Sequence, residues 1–242
     1  MESYGITDIG VCREVNQDYI YCNDNTIGLL PNLYIVADGM GGHKAGDFAS
    51  RFSVTVFEKE IREQKARTII GSMEGALRQA NELLLKEAKA DSKYEGMGTT
   101  FVAATITDTR LFVANIGDSR LYIIEESGSI KQITKDHSLV EEKVLRGELD
   151  RKDVKYHPQK NVITRALGGD TQVLPDFFEV ELEGVSYILL CSDGLTNMVE
   201  DNVMQEIIVD SEGTMEEKAK ELVTLANENG GRDNISLILI HI

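Results

Sequence analysis

The feature that most constrains the fold of this sequence is a run of short apolar segments separated by only a few turn residues. The segments lie at residues 101–106, 111–116, 121–124 and 130–133. Connections this short join antiparallel neighbours, because a parallel return needs a crossover of about a dozen residues or more. This part of the chain is therefore predicted to form a β-meander, which argues against a doubly wound parallel sheet.

Two long amphipathic helices are predicted before this run. Apolar residues recur at helical spacing over residues 45–64 and, more clearly, over residues 69–90. Apolar runs elsewhere predict additional strands at 33–37, 177–182, 187–191 and 235–242. This order of strands and helices indicates an α+β fold in which helices cover sheets.

Two further helix starts are marked by capping-box pairs. Ser138 with Glu141, and Thr214 with Glu217, have the spacing that opens a helix, and Gly147 can close the first of these helices. The 242 residues include three prolines and no low-complexity linker. We therefore expect residues 1–242 to form a single domain.

The charge and the cysteines exclude several classes of protein. A formal net charge of -16 disfavours a nucleic-acid partner, which would call for a basic surface. The three cysteines lack metal-site spacing and are odd in number, so neither a zinc site nor a disulfide framework is predicted. No segment approaches the roughly 18 apolar residues of a membrane span or resembles a signal peptide. We expect a cytoplasmic protein that does not enter the membrane.

Four aspartates occur where an apolar strand meets a turn. They are Asp38, Asp118, Asp193 and Asp233. Each alone is typical of a turn, but four together predict a shared site if the strand ends converge. Clustered carboxylates need a compensating charge, and oxygen ligands favour Mg²⁺, Mn²⁺ or Ca²⁺ over Zn²⁺ or Cu²⁺. Near the N-terminus, Arg13 could grip a phosphate with its planar fork, and Asp18 adds another carboxylate.

In its motifs the sequence resembles the type 2C family of metal-dependent serine/threonine protein phosphatases, in its bacterial form. The matching segments occur in the order of the family and span nearly the whole chain. They are Arg13-Glu14-Val15-Asn16-Gln17-Asp18, Val36-Ala37-Asp38-Gly39-Met40-Gly41-Gly42-His43, Gly98-Thr99-Thr100, Asn115-Ile116-Gly117-Asp118-Ser119-Arg120, Ile163-Thr164-Arg165-Ala166-Leu167-Gly168, Cys191-Ser192-Asp193-Gly194-Leu195 and Gly231-Arg232-Asp233-Asn234.

The resemblance implies a four-layer αββα sandwich, in which two antiparallel sheets are flanked by helices and form one catalytic phosphatase domain. It also implies two core Mn²⁺ or Mg²⁺ ions and a third, weaker ion. Asp38 should bridge the core ions, with the Gly39 carbonyl and Asp18 at one and Asp193 and Asp233 at the other. The third ion should lie at Asp118 together with Asp193.

The reaction implied by the resemblance is hydrolysis of phosphoserine and phosphothreonine by direct attack of a metal-activated water, with Arg13 binding the phosphate. None of the cysteines is followed six residues later by arginine, as thiol-based phosphatases require. The partners implied are phosphorylated proteins and a bacterial serine/threonine kinase that the enzyme opposes. We expect a monomer. A phosphohydrolase for small molecules and an inactive scaffold on the same fold are the alternatives.

One position departs from the family. Eukaryotic members have a histidine directly after the Asp-Gly pair as the proposed general acid, whereas this chain has Met40. His43 could supply the proton instead, or it could be a hydrogen-bonding loop residue. His137 is predicted to be a structural residue before a helix. By resemblance, the polar segment 138–161 is a flap beside the cleft that tunes substrate choice, and the alternative is a solvated insert.

Overall fold

The structure is a computed structural model that describes residues 1–42, 45–210 and 212–242. Its strands form two antiparallel sheets. The strands are β1 (Glu2–Asp8), β2 (Asp18–Asn23), β3 (Leu33–Met40), β4 (Gly98–Thr99), β5 (Phe101–Ile106), β6 (Arg110–Ile116), β7 (Arg120–Glu125), β8 (Ile130–Gln132), β9 (Asp176–Glu181), β10 (Val185–Cys191) and β11 (Ile235–His241). The first sheet has the order β1-β11-β10-β7-β8, and the second has the order β2-β3-β5-β6-β9 with the short β4 paired to β3.

Helices cover the outer face of each sheet. Helix α1 contacts β2 and β3 of the second sheet, and α6 contacts β1 and β11 of the first. The helices are α1 (Ala45–Glu63), α2 (Ile69–Ala90), α3 (Leu139–Leu145), α4 (Asp193–Thr196), α5 (Asp201–Asp210) and α6 (Met215–Glu228). Two 3₁₀ helices, Ser92–Tyr94 and Arg151–Tyr156, complete the helical elements of the described residues.

Alternating side chains of the central strands build three apolar layers. On β3, Leu33 and Ile35 pack with α1 and α2, whereas Tyr34 and Val36 point to the opposite sheet. On β11, Leu237 and Leu239 belong to the layer under α6, while Ile238 and Ile240 face the second sheet. Because both faces are buried, these strands read as continuous apolar runs. The predicted αββα sandwich is confirmed.

The predicted β-meander is wrong at its centre. Strands β5 and β6 pair with each other, and β7 pairs with β8, but β6 and β7 belong to different sheets. The residues Gly117-Asp118-Ser119 carry the chain from one sheet to the other. A short connection can do this because facing sheets lie only about 10 Å apart. Gly117 has φ +102°, and a Cβ there would stand 2.6 Å from the Thr100 Cβ.

The other elements follow the predictions with a few additions. Helices α1 and α2 are confirmed, and α6 opens with a complete capping box at Thr214 and Glu217. Ser138 caps α3, and Gly147 follows its end with φ +71°. Strands β1, β2 and β4 and helices α4 and α5 were not predicted, because their short, mixed sequences carry little periodicity.

Candidate active site

Two aspartates lie side by side on neighbouring strands. The antiparallel register of β2 and β3 pairs Asp18 with Asp38. Asp38 lies inside β3 and not at the turn where it was expected, because the strand continues to Met40. Its backbone is held by Thr100: the Asp38 N–H donates to Thr100 Oγ1 over 2.9 Å, and the Thr100 N–H donates to the Asp38 carbonyl over 2.8 Å.

Asp193 is positioned by the short helix α4, which begins directly after β10. Asp193 is its first residue, and its Oδ2 accepts a hydrogen bond from Asn197 Nδ2 at 2.9 Å. The preceding Ser192 is buried and donates from Oγ to Asp18 Oδ2 at 2.8 Å. Ser192 therefore connects the carboxylate of β2 to the end of β10, across the two sheets.

Arg13 and Asp233 form an ion pair. Arg13 Nη2 lies 2.6 Å from Asp233 Oδ2, with both side chains partly exposed. The loop that carries Arg13 is fixed by buried Asn234, whose Nδ2 donates to the Ile9 and Val15 carbonyls. Asn234 thus holds the arginine loop beside the start of β11.

Asp118 lies at the crossing between the sheets. The Gly117 N–H donates to His137 Nδ1 at 3.1 Å, and the His137 N–H donates to the Gly117 carbonyl at 2.9 Å. His137 is buried, and its Nε2 lies 3.2 Å from Asp176 Oδ2. The ring therefore fixes the backbone immediately before Asp118.

These side chains converge on one cavity of about 260 Å³. Asp18 lies behind its wall, 5% exposed. The predicted site residues that line the cavity are Arg13, Asp38, Gly39, Asp118, Asp193 and Asp233. The prediction for His43 lies outside the described residues. Sequence reasoning missed Ser192 and Asn234, although each is adjacent to a predicted aspartate in a matching motif.

Burial and mutual repulsion raise the pKa values of the clustered carboxyl groups. Burial, opposed by the serine hydroxyls and reinforced by Asp193 and Asp233, raises the pKa of Asp18 to about 7. Burial and then Asp233 raise the pKa of Asp193 to about 6. The pKa values of Asp38 and Asp118 are also raised well above the ordinary range, first by burial and then by neighbouring aspartates.

Several carboxylate oxygens are available to bind a cation. The Oδ1 atoms of Asp18, Asp118 and Asp193 are buried without a hydrogen-bond partner among the described residues. Buried carboxylate oxygens of this kind are costly unless a proton or a hard cation satisfies them. Within residues 1–42, 45–210 and 212–242, no three His, Cys, Asp or Glu side chains already have the arrangement of a metal cluster. The donors fit divalent ions in chemistry and location, and the individual ligand roles stay predictions.

The raised pKa values predict how stability depends on pH when a chelator removes metal. An unfolded aspartate titrates near pH 4, so between roughly pH 4 and 7 the folded protein binds protons that the unfolded chain does not. The free energy of unfolding should therefore fall as pH rises through this window. Urea unfolding in a chelator at pH 5 and pH 8 measures it, and Asp193→Asn should flatten the slope. An equal slope in that variant would contradict the prediction.

Comparison with known proteins gives the class: the chain is similar along its whole length to protein phosphatases. A model of the protein phosphatase 2C family matches residues 13–231. The serine/threonine phosphatase stp of Listeria monocytogenes is 40% identical over 240 residues, which are 97% of this chain and 93% of that protein. The chain therefore belongs to the protein phosphatase 2C family, as its motifs predicted.

Solved structures agree with this assignment. Serine/threonine phosphatase Stp1 from Staphylococcus aureus superimposes with a TM-score of 0.92 at 36% identity, covering 100% of this chain and 94% of that one. The catalytic domain of the phosphatase PstP, in complex with two manganese ions, has a TM-score of 0.84 at 30% identity and covers 98% and 96%. No helix in the described part of the chain is long and apolar enough to cross a membrane.

Proposed function

We propose that residues 1–242 form one catalytic domain that hydrolyses phosphoserine and phosphothreonine monoesters in proteins, using Mn²⁺ or Mg²⁺. The observation that carries this proposal is the convergence of four distant carboxylates and one arginine on a single cavity. Asp38, Asp118, Asp193 and Asp233 come from both sheets and share its lining with Arg13. The names of the relatives support the same substrate class.

The ligand roles are proposed residue by residue. Asp38, Asp18 and the Gly39 carbonyl would hold one core ion, and Asp38, Asp193 and Asp233 would hold the other. Asp118 and Asp193 would hold a third, weaker ion. When bound, the ions supply a water of lowered pKa as the nucleophile and stabilise negative charge on the phosphoryl oxygens. No covalent phosphoenzyme is required.

The protein itself orients the phosphate and keeps the carboxylates in place. In its pair with Asp233, Arg13 uses one nitrogen at 2.6 Å, and its side chain is 46% exposed. Arg13 lines the cavity, so the other donors of its guanidinium fork could bind a phosphate there. Thr100, Ser192 and Asn234 fix the segments that carry the aspartates, so the site is preorganised for the reaction.

Arg13→Ala is expected to raise KM for a phosphopeptide by about tenfold to a hundredfold, because a charge-assisted hydrogen bond to the phosphate is lost. Steady-state kinetics with Mn²⁺ measures this. Arg13→Lys keeps the charge without the fork and should give an intermediate KM. A variant with normal KM and a collapsed kcat would show instead that Arg13 acts mainly in the transition state.

The proton donor to the leaving serine or threonine oxygen is proposed to be His43. Met40 occupies the place of the eukaryotic histidine, and its thioether cannot donate a proton. Met40 lines the cavity, which makes this part of the wall apolar. A pH–rate profile of His43→Gln that keeps the acidic limb and the basic limb of the unmodified enzyme would overturn this assignment.

The proposed partners are phosphorylated proteins of a bacterial cell and the serine/threonine kinase that the enzyme opposes. The segment 138–161 is proposed to be a flap that affects substrate choice. Lys160 donates to Asn197 at 3.1 Å, and Asn161 lines the cavity, so the segment reaches the site. A chimera in this segment with unchanged phosphopeptide preference would remove that role.

The decisive experiment compares hydrolysis of phosphoserine and phosphothreonine peptides with hydrolysis of nucleotides. Peptides should be hydrolysed with Mn²⁺, and a chelator should abolish the activity. Faster turnover of nucleotides would favour the small-molecule phosphohydrolase. No Mn²⁺-dependent hydrolysis of any substrate by pure protein would favour the inactive scaffold.

A further inference from the structure

A second and larger cavity adjoins the carboxylate cavity. It has a volume of about 520 Å³, and Met40 and Ile163 line both cavities. These two side chains therefore form the partition between the place where the phosphate would bind and the neighbouring space. A substrate that extends beyond its phosphate on this side would enter the second cavity.

Six of the eleven residues that line this second cavity are apolar, and they continue from the shared partition to the rim. Ile116, at the end of β6, is 1% exposed, and Met40 and Ile163 are partly buried. Leu174 lies at the rim with 63% of its surface exposed. The six apolar wall residues are Met40, Ile116, Ile163, Ala166, Val173 and Leu174. A concave site with apolar side chains on one part of its wall and an exposed leucine at its rim can bind an apolar group.

The charged residues of the wall leave no buried charge for a ligand to pair with. Arg165 Nη1 lies 3.0 Å from Asp176 Oδ1 and 3.3 Å from the Leu174 carbonyl, so its charge is already matched. Asp170 is exposed, and its carboxylate accepts hydrogen bonds from Thr171. A charged group placed against the apolar part of the wall would lose water without a buried partner.

The wall is anchored on both sides, so the cavity is preformed. Leu167 and Thr99 exchange backbone hydrogen bonds of 2.9 and 3.0 Å. Buried Asn81 of α2 accepts from the Gly168 N–H at 2.8 Å and donates to the Asp170 carbonyl at 2.9 Å. Binding here requires little ordering of the protein, which favours affinity.

The spacing of the two cavities matches an extended peptide. Met40 follows Asp38 by two residues on β3, which corresponds to roughly 7 Å along a strand. In an extended peptide, a side chain one or two positions from the phosphorylated residue lies at a comparable distance. Residues on the N-terminal side and on the C-terminal side of the phosphorylated residue lie at this distance equally well.

We propose that this second cavity is a specificity subsite that binds a bulky apolar side chain, such as leucine or phenylalanine, one or two positions from the phosphorylated residue. The subsite rests on the proposed function, because it requires a phosphoprotein substrate in the first cavity. It deepens that function by naming the class of sequence that the enzyme selects.

The test uses phosphopeptides that differ only at the two positions on either side of the phosphorylated residue. Peptides with leucine or phenylalanine at the preferred position should have a KM about tenfold below that of the serine version, with little change in kcat. Leu174→Asp places a charge at the rim and should remove this preference, while hydrolysis of free phosphoserine, which has no neighbouring side chain to enter the cavity, stays within twofold.

Leu29→Asp is the matched control, because Leu29 is 45% exposed and lines neither cavity. It should keep the preference. KM values within twofold for all peptides, a preference that survives Leu174→Asp, or a preference for lysine or arginine would each overturn the subsite. If all peptides are hydrolysed without preference, the subsite alone fails. If nothing is hydrolysed with Mn²⁺, the proposed function fails and the subsite fails with it.

Discussion

Replacing Asp38 by asparagine should lower kcat for phosphopeptides by about a thousandfold or more, because metal ions supply several kcal/mol of transition-state charge stabilisation. Asp38 lies at the centre of the cluster: its pKa is raised by burial and by four neighbouring aspartates, which are Asp18, Asp193, Asp118 and Asp233. Stopped assays with saturating Mn²⁺ measure the loss. Asp108→Asn, in an exposed turn outside the cavity, is the control and should retain full activity.

A thermal-shift measurement tests whether Asp38 binds metal without relying on turnover. At a free Mn²⁺ concentration of about 100 times Kd, one site adds roughly 2.7 kcal/mol to the free energy of unfolding, which corresponds to a rise in Tm of roughly 5–10 °C. Asp38→Asn should lose most of this rise. In a chelator the variant should be more stable than the unmodified protein, because one of several repelling carboxylates is gone. Normal activity or a full Mn²⁺-induced rise would rule out Asp38 as a ligand.

Gly39→Ala is expected to abolish activity and to lower the free energy of unfolding by about 3 kcal/mol. A Cβ at Gly39 would lie 2.0 Å from the Gly46 carbonyl oxygen and 2.6 Å from that of Gln17. Both contacts are with backbone, so β3 would have to separate from α1 and from the loop that precedes Asp18. Kinetics with Mn²⁺ and urea unfolding measure the two losses.

Gly42→Ala is the matched control for this prediction, because a Cβ at Gly42 would meet nothing within 4 Å. It should change neither the free energy of unfolding nor kcat/KM by more than the effect of an ordinary surface substitution. A stable and active Gly39→Ala protein would mean that β3 and α1 can separate without cost, which would contradict the close packing of this strand under the site.

The sequence was sufficient to predict the elements with strong periodicity and the residues that share the cavity. Helices α1 and α2 carry long repeats of apolar residues and were placed correctly. The aspartates were grouped because Asp38, Asp118 and Asp193 follow apolar runs and Asp233 directly precedes one. Their convergence itself depends on how the sheets face each other, which local patterns do not encode. The family motifs supplied this arrangement.

The connection at Gly117 shows why the prediction of a continuous β-meander was wrong between β6 and β7. Turn length limits how far the chain can travel, but it does not say whether the next strand pairs alongside or lies in the opposite sheet. The alternation within β6 and β7 is masked, because both of their faces are buried. The supporting contacts of Ser192 and Asn234 were missed for a related reason: each joins residues far apart in the chain, such as Ser192 and Asp18.

The position of β11 has a consequence for how the protein matures. This strand follows all the others in the chain, yet it lies between β1 and β10 in the first sheet. During synthesis β1 therefore has no neighbour in that sheet until β11 has left the ribosome, and Asp233, just before β11, arrives equally late. A partly made chain would thus lack a proposed metal ligand, and premature release would yield a product with an unpaired β1 that is prone to aggregate.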